Sequence, residues 1–432
     1  MIRHELRAKR RTLLAGATGA AALGAVAACG DDGPAGTADD PIEISFEWWG
    51  DNARAEITQE AVDLFEERNE GIKVTTNFAD FPDYWASMTT RMAAQDLPDV
   101  LNMDYSRLLQ FGSNGMLMPL EGLVDTSDFI EGFLDTGYVN GELVAVPIAG
   151  NTLGLLYRKD WFDAAGVTLE PGYTWEDYQE AMRKVTESLG EDGKWGGGDF
   201  TGQYHFMELW LRQQGGSFYT DDGTALNFDK AKLAEWWELG APLQDEGIVP
   251  DIGTTSQWEE GGLVLDALGS EIGWDNFLPW NAPAVADNGG TLSLTAPPTS
   301  DPDNVGLYLK PSMQLCIAAN TEFPEESAML IDFLLTDPEA IAILGTNRGV
   351  PATNVGRENV EVDEISQQVL DYEASVEQYL TTPPPPPPAA TGSIEQKFIE
   401  IHQQVRFEEL SVDEAVDTFF NEAETLLAQE GQ

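Results

Sequence analysis

The stretch that decides the fold runs from Pro41 to Met103. It opens PIEISFEWW (41–49), continues NARAEITQEAVDLFEER (52–68) and IKVTTNF (72–78), and closes with DYWASMTTRMAAQ (83–95) and DVLNM (99–103). Ile42, Ile44 and Phe46 alternate onto one face, the period of a strand. The same alternation turns Trp48 inward with them and leaves Trp49 for the opposite side. Residues 52–68 carry Ile57, Ala61, Leu64 and Phe65 at helical spacing, and Asn69-Glu70-Gly71 ends that helix. Residues 72–78 are a β-branched strand, and 83–95 are a helix with Asp83 as its N-cap. Residues 99–103 form a third strand. Strand, helix, strand, helix, strand is the signature of a parallel α/β sheet.

Further along, Val144–Arg158 (VAVPIAGNTLGLLYR) is almost continuously apolar and reads as a buried strand entering a second lobe. The segment from Trp161 to about Trp280 is rich in helix signals and aromatics. Trp175 starts one helix behind a Thr174 cap, and Lys230–Leu239 forms another. Pro297-Pro298 and Pro302 mark a crossing segment within 292–308. Glu325–Leu335 is amphipathic, and Ser411 with Glu414 forms a capping box for the last helix. Pro383–Pro388 reads as a rigid polyproline spacer on the surface, in preference to a partner-docking ligand. Trp161, Trp210, Trp236 and Trp237 read as packing residues.

With 23 Lys plus Arg against 75 Asp plus Glu among 432 residues, the net charge is −52. Such a field repels nucleic acid and anionic lipid, which excludes both as partners. A hydrophobic share of 42% with 12 Trp, 19 Phe and 11 Tyr excludes a disordered acidic chain. Two cysteines cannot form a disulfide framework. Cys316, within an apolar run, reads as a small buried hydrophobe.

Residues 1–28 read as an export signal: Arg3, Arg7, Lys9, Arg10 and Arg11 precede an Ala/Gly-rich run from Thr12 to Ala28. Arg10-Arg11 before Thr-Leu-Leu resembles a twin-arginine signal, and the general secretory route stays open. Val26-Ala27-Ala28-Cys29 resembles a lipobox, with Cys29 acylated and 29–40 a flexible tether. Cleavage there leaves 18 basic and 74 acidic residues, a net −56.

Trp48-Trp49-Gly50-Asp51-Asn52, Tyr84–Val100, Val146-Pro147-Ile148 with Leu156–Asp160, Gly273-Trp274-Asp275-Asn276, Phe333–Ala340 and Asn347–Pro351 follow one another in order. Together they resemble the bacterial extracellular solute-binding proteins of sugar ABC transporters, in the maltose-binding protein superfamily, across residues 41–425. The resemblance implies an α/β two-lobe periplasmic-binding-protein-like fold with a hinge and an interlobe ligand cleft. It implies an N-terminal lobe of 41–147 and 298–336 and a C-terminal lobe of 148–297 and 337–432. It also implies a monomer that delivers an oligosaccharide to ABC transporter permease subunits, held by acylated Cys29 on the extracellular face of the cytoplasmic membrane, with no cofactor and no catalysis.

A pyranose offers apolar C–H faces to aromatic rings and a rim of hydroxyls to carboxylates, amides and Arg. Carried over by position, and read on loops at the carboxyl ends of strands, the candidate ligand-binding residues are Trp49, Asp51, Asn52, Tyr84, Asp104, Asn151, Gln203, Tyr204, Trp258, Trp274, Asp275 and Arg348. Asp51 also reads as a helix cap and Arg348 as a turn brace. Asn151 stands where the maltose-binding relative has a carboxylate, which departs from maltose-like specificity. Acids, amides and aromatics with one Arg suit a neutral sugar better than a uronate, while the resemblance of Trp48–Asn52 to plant-polysaccharide importers keeps pectin-type oligosaccharides open. An extracellular glycoside hydrolase or polysaccharide lyase is the alternative. Only His205 and His402 follow the signal, and no metal-ligand spacing occurs.

Overall fold

The computed structural model describes residues 36–190 and 193–430. The signal, the lipobox and Cys29 lie outside them. The opening stretch folds much as its periodicity dictates: strand Ile42–Trp49, helix Asn52–Arg68, strand Ile72–Ala79, helix Phe81–Ala94 and strand Val100–Met103. The first strand pairs in parallel with the second and third. The second helix begins earlier than expected. Asp80, not Asp83, is its N-cap and accepts from the Asp83 N–H, because Pro82 fits the first turn of a helix.

Six strands make the first sheet, in the order Val350–Pro351, Val146–Asn151, Lys310–Ile317, Val100–Met103, Ile42–Trp49, Ile72–Ala79. Lys310–Ile317 lies in its middle, antiparallel to both neighbours. The three-stranded second sheet has Leu153–Arg158 between Ser270–Trp274 and Leu292–Thr295. Each sheet has its own core. One gathers Phe46, Trp48, Phe65, Leu101 and Leu315; the other gathers Trp175, Tyr178, Trp210, Trp236, Trp237 and Phe419. Trp161 is buried in a satellite cluster. Two lobes of mixed α/β structure result.

The run 144–158 is therefore two strands in two sheets, not one strand entering the second lobe. Thr152 alone separates them and is fully buried. Its N–H donates to Asp275 Oδ2 at 2.8 Å, and the Asp275 N–H donates to its carbonyl at 3.0 Å. Tyr372 Oη donates to the next carbonyl, that of Leu153, at 2.5 Å. The first sheet thus keeps the chain to Asn151, past the expected boundary at 147. The boundary expected at 336 also moves: Leu344 and Ala352 pack in the first core, and Val350–Pro351 pairs with Val146–Asn151. Helix Pro338–Leu344 follows its predecessor after a single residue, Asp337, whose carboxylate caps it. So short a connection keeps the two helices on one lobe.

Candidate functional site

Three neighbouring cavities share lining residues; the main one lies in the second lobe, and the other two draw residues from both lobes. The largest, about 720 Å³, lies within the range of roughly 300–1,000 Å³ usual for small-molecule sites. Strand Ser270–Trp274 and helix Phe277–Asp287 supply its aromatic floor. Gly273 allows the close turn between them, since a Cβ there would meet the Phe277 ring at 3.1 Å. Leu278, Ala282 and Val285 hold the helix to its core. Phe277 and Trp280 consequently face away, the Trp280 indole 80% exposed. Trp274 lies half-buried, its ring 5.4 Å from that of His205 and 5.0 Å from the Lys310 ammonium. Gln203, Glu271, Asn276 and Asn281 add hydrogen-bonding groups to the same walls.

Glu271 has no hydrogen bond or ion pair from its side chain among the described residues, and burial pushes its carboxyl up to about 7. His205 is kept neutral, because burial, with Lys310 adding to it, pushes the imidazole down to about 3. Its Nδ1 has no partner among the described residues, and its Nε2 stands 3.8 Å from Glu395 Oε1. Across the floor, a cavity of about 390 Å³ shares Asn276 and Trp280 and adds Asp51, Arg54 and Asn151 from the first lobe. On the other side a pocket of about 210 Å³ shares His205 and Glu395 and contains Asp104, Tyr204 and Lys310.

Of the residues read from the sequence, Gln203 and Trp274 line the main cavity, Asp51 and Asn151 the second, and Asp104 and Tyr204 the third. Asp51 also caps its helix, accepting from the Arg54 N–H at 2.9 Å. Trp258 borders a further cavity of about 300 Å³ that shares Gln203 and Glu271 with the main one. Asn52 is exposed on the first turn of its helix and lines none of these. Four expectations are corrected. Trp49 is buried among Phe81, Tyr84 and Trp85, because the helix Phe81–Ala94 lies over the end of its strand. Tyr84 belongs to the same core and donates to the Asn102 carbonyl at 2.7 Å. Asp275 is fully buried and braces Thr152 instead of facing a cavity. Burial, with Glu373 adding to it, holds its carboxyl well above the carboxylate range. Arg348 is buried, with Nη2 donating to Thr58 Oγ1 at 2.5 Å; burial, with Arg54 adding to it, pushes it down to about 9.

Sequence reasoning missed Phe277, Trp280 and Glu271. The signal for two of them was present: Leu278, Ala282 and Val285 share one helical face, while Phe277, Trp280 and Asn281 share another. It also misread Pro383–Pro388 as a surface spacer; Pro384–Pro388 line the third pocket, and Pro386 and Pro388 are buried. Among the described residues no group of side chains is arranged to hold a metal ion.

Two α/β lobes around an aromatic, amide-rich groove define a protein that binds a solute. Residues 49–341 match the family model of the bacterial extracellular solute-binding proteins, and the chain belongs to that family. It is a binding protein and not an enzyme. The chain is 24% identical over 338 residues to an uncharacterized ABC transporter extracellular-binding protein of Pyrococcus horikoshii, covering 72% of each. It is 26% identical over 174 residues to an arabinooligosaccharide-binding protein of Bacillus subtilis, covering 39% of each. A solved family 1 extracellular solute-binding protein of Alicyclobacillus acidocaldarius superposes with a TM-score of 0.77 at 27% identity, covering 90% of this chain and 99% of that one.

Proposed function

We propose that this chain captures a neutral oligosaccharide in the interlobe groove and delivers it to the permease subunits of an ABC importer. The observation that carries the reading is the floor itself: Trp274, Phe277 and Trp280 present rings beside Gln203, Asn276 and Asn281. Rings suit the C–H faces of a pyranose, and amides suit its hydroxyls because each both donates and accepts. Glu271, Glu395, Asp51 and Asp104 around the groove favour a neutral ligand over a uronate. A relative named for arabinooligosaccharides supports the same class.

Closure is a rotation of the lobes about the Thr152 joint, driven by contacts that both lobes make to the sugar only when closed. Acylated Cys29 holds the protein on the extracellular face of the membrane, and the tether expected over 29–40 ends short of 36–40, where Thr37 and Asp40 close a turn beside Gly71. Calorimetry against neutral arabino-, gluco- and galacto-oligosaccharides tests this function, with digalacturonate as the acidic control. Saturable heat from a neutral member without turnover products is expected; heat from the digalacturonate alone, or from nothing in the panel, refutes it.

A further inference from the structure

The polyproline run meets the groove with a surface unlike any other part of it. Pro384–Pro388 line the 210 Å³ pocket together with Tyr204 and Tyr308. The segment is pinned from several sides. Tyr105 Oη, from the first lobe, donates to the Pro384 carbonyl. Arg212 Nη2 donates to Thr381 Oγ1 at 2.6 Å and to the Thr382 carbonyl at 2.8 Å. The Thr391 N–H donates to the Pro388 carbonyl at 3.0 Å. Proline has no N–H and makes no internal hydrogen bonds in its extended helix. The strap therefore offers acceptors only, and among the described residues the carbonyls of Pro385, Pro386 and Pro387 accept nothing.

Another lining group has the same character. Glu208 is 8% exposed and accepts one hydrogen bond, from Tyr308 Oη at 3.2 Å. Its second oxygen has no partner among the described residues. Lys310 is the only Lys or Arg lining this pocket, and Asp104, Glu208 and Glu395 outnumber it. Lys310 also lies over Trp274, and His205 and Glu395 line both this pocket and the main cavity.

We infer that this pocket is a terminal subsite, in which the end residue of a neutral oligosaccharide donates its hydroxyls to the Pro385–Pro387 carbonyls and to Glu208. The strap stops the chain there. The protein on this account reads a sugar chain from its end, with the next residue over Trp274. A uronate is excluded from the subsite because its carboxylate would face acceptors alone on the strap side. The inference rests on the oligosaccharide reading above and adds to it a direction and an end.

The test is a length series in calorimetry, using the neutral oligosaccharide from the panel that binds the wild type and the same sugar one residue shorter, with wild type, Glu208→Leu and Glu208→Ala. The wild type is expected to lose at least tenfold in affinity on shortening, and each variant at least threefold less than that, because the end ring has already lost its Glu208 acceptor. Thermal melts identify a variant that fails to fold, and the other then decides. Equal losses in wild type and variants overturn the subsite while leaving the oligosaccharide reading intact. Binding of digalacturonate more tightly than neutral digalactose overturns the acceptor-wall argument. Absence of binding by every member of the panel overturns the oligosaccharide reading and this inference with it.

Discussion

Trp280→Ala separates ligand contact from stability more cleanly than any other substitution in the groove. The indole is 80% exposed and its helix is held by Leu278 and Val285, not by Trp280 itself. Of an aromatic surface of about 200 Å², about 160 Å² is open; a sugar covering one face hides about 80 Å², worth ~2 kcal/mol at about 25 cal/mol per Å², or roughly thirtyfold in Kd. The free protein loses almost nothing, since exposed substitutions stay within about 0.5 kcal/mol. Calorimetry with the neutral oligosaccharide reads the first quantity and a ligand-free thermal melt the second. Unchanged affinity refutes the platform. A melting temperature lowered by several degrees shows instead that the indole packs in a way its exposure denies.

Other outcomes follow from buried charge, from Cys29 and from the net charge. Glu271 ordinarily titrates near 4.5 but is pushed up to about 7 by burial, so the folded state keeps a proton that the unfolded chain releases. Its stabilising contribution is complete below about 4.5 and is lost as pH rises to about 7; Glu271→Gln should therefore raise stability at pH 8 by on the order of 1–3 kcal/mol and leave it unchanged at pH 4. Denaturant melts at the two pH values check the sign, and equal gains at both would count against it. Asp275→Asn keeps an acceptor for the Thr152 N–H and removes repulsion from Glu373, so it should hold or raise the melting temperature at pH 7.5. Asp275→Ala leaves that buried N–H unpaired and should cost about 1–3 kcal/mol in the same melts. Cys29→Ser should move the protein from the membrane fraction to the medium; retention in the membrane fraction refutes the acyl anchor. Thermal melts from 0.05 to 1 M NaCl (about the range over which the screening length shrinks severalfold) should shift upward, given a net charge of −52, and a flat or falling series removes self-repulsion as a factor.

How much of this was legible in the sequence depends on the range of the interaction concerned. Ile42–Phe46 and Asn52–Arg68 carry their periods locally, and both elements formed where those periods placed them. Thr174 with Asp177 and Ser411 with Glu414 formed capping boxes for the same local reason. Trp49 failed because alternation says which side a residue faces, not whether a helix covers that side. Asp275 looked like a ligand group beside Trp274, yet its partner Thr152 lies 123 residues away in sequence. The proline strap failed likewise: composition speaks to the stiffness of the run, while its place beside Tyr105 belongs to the tertiary fold.

The strand order of the first sheet has a consequence for how the polypeptide must be made. Lys310–Ile317 lies between Val146–Asn151 and Val100–Met103, at the centre of the sheet. When a growing chain has delivered residues 42–151, it holds three paired strands and the lone strand Val146–Asn151, with the slot between them leaving edges unpaired. The slot fills only after the whole intervening stretch of the second lobe has been synthesised. Pairing across so long a separation is slow, and open edges recruit other chains. A fragment ending near residue 151 is thus expected to aggregate instead of folding as a separate lobe. On the ribosome or in transit across a membrane, the same edges are what a holding chaperone would have to cover until residue 317 emerges.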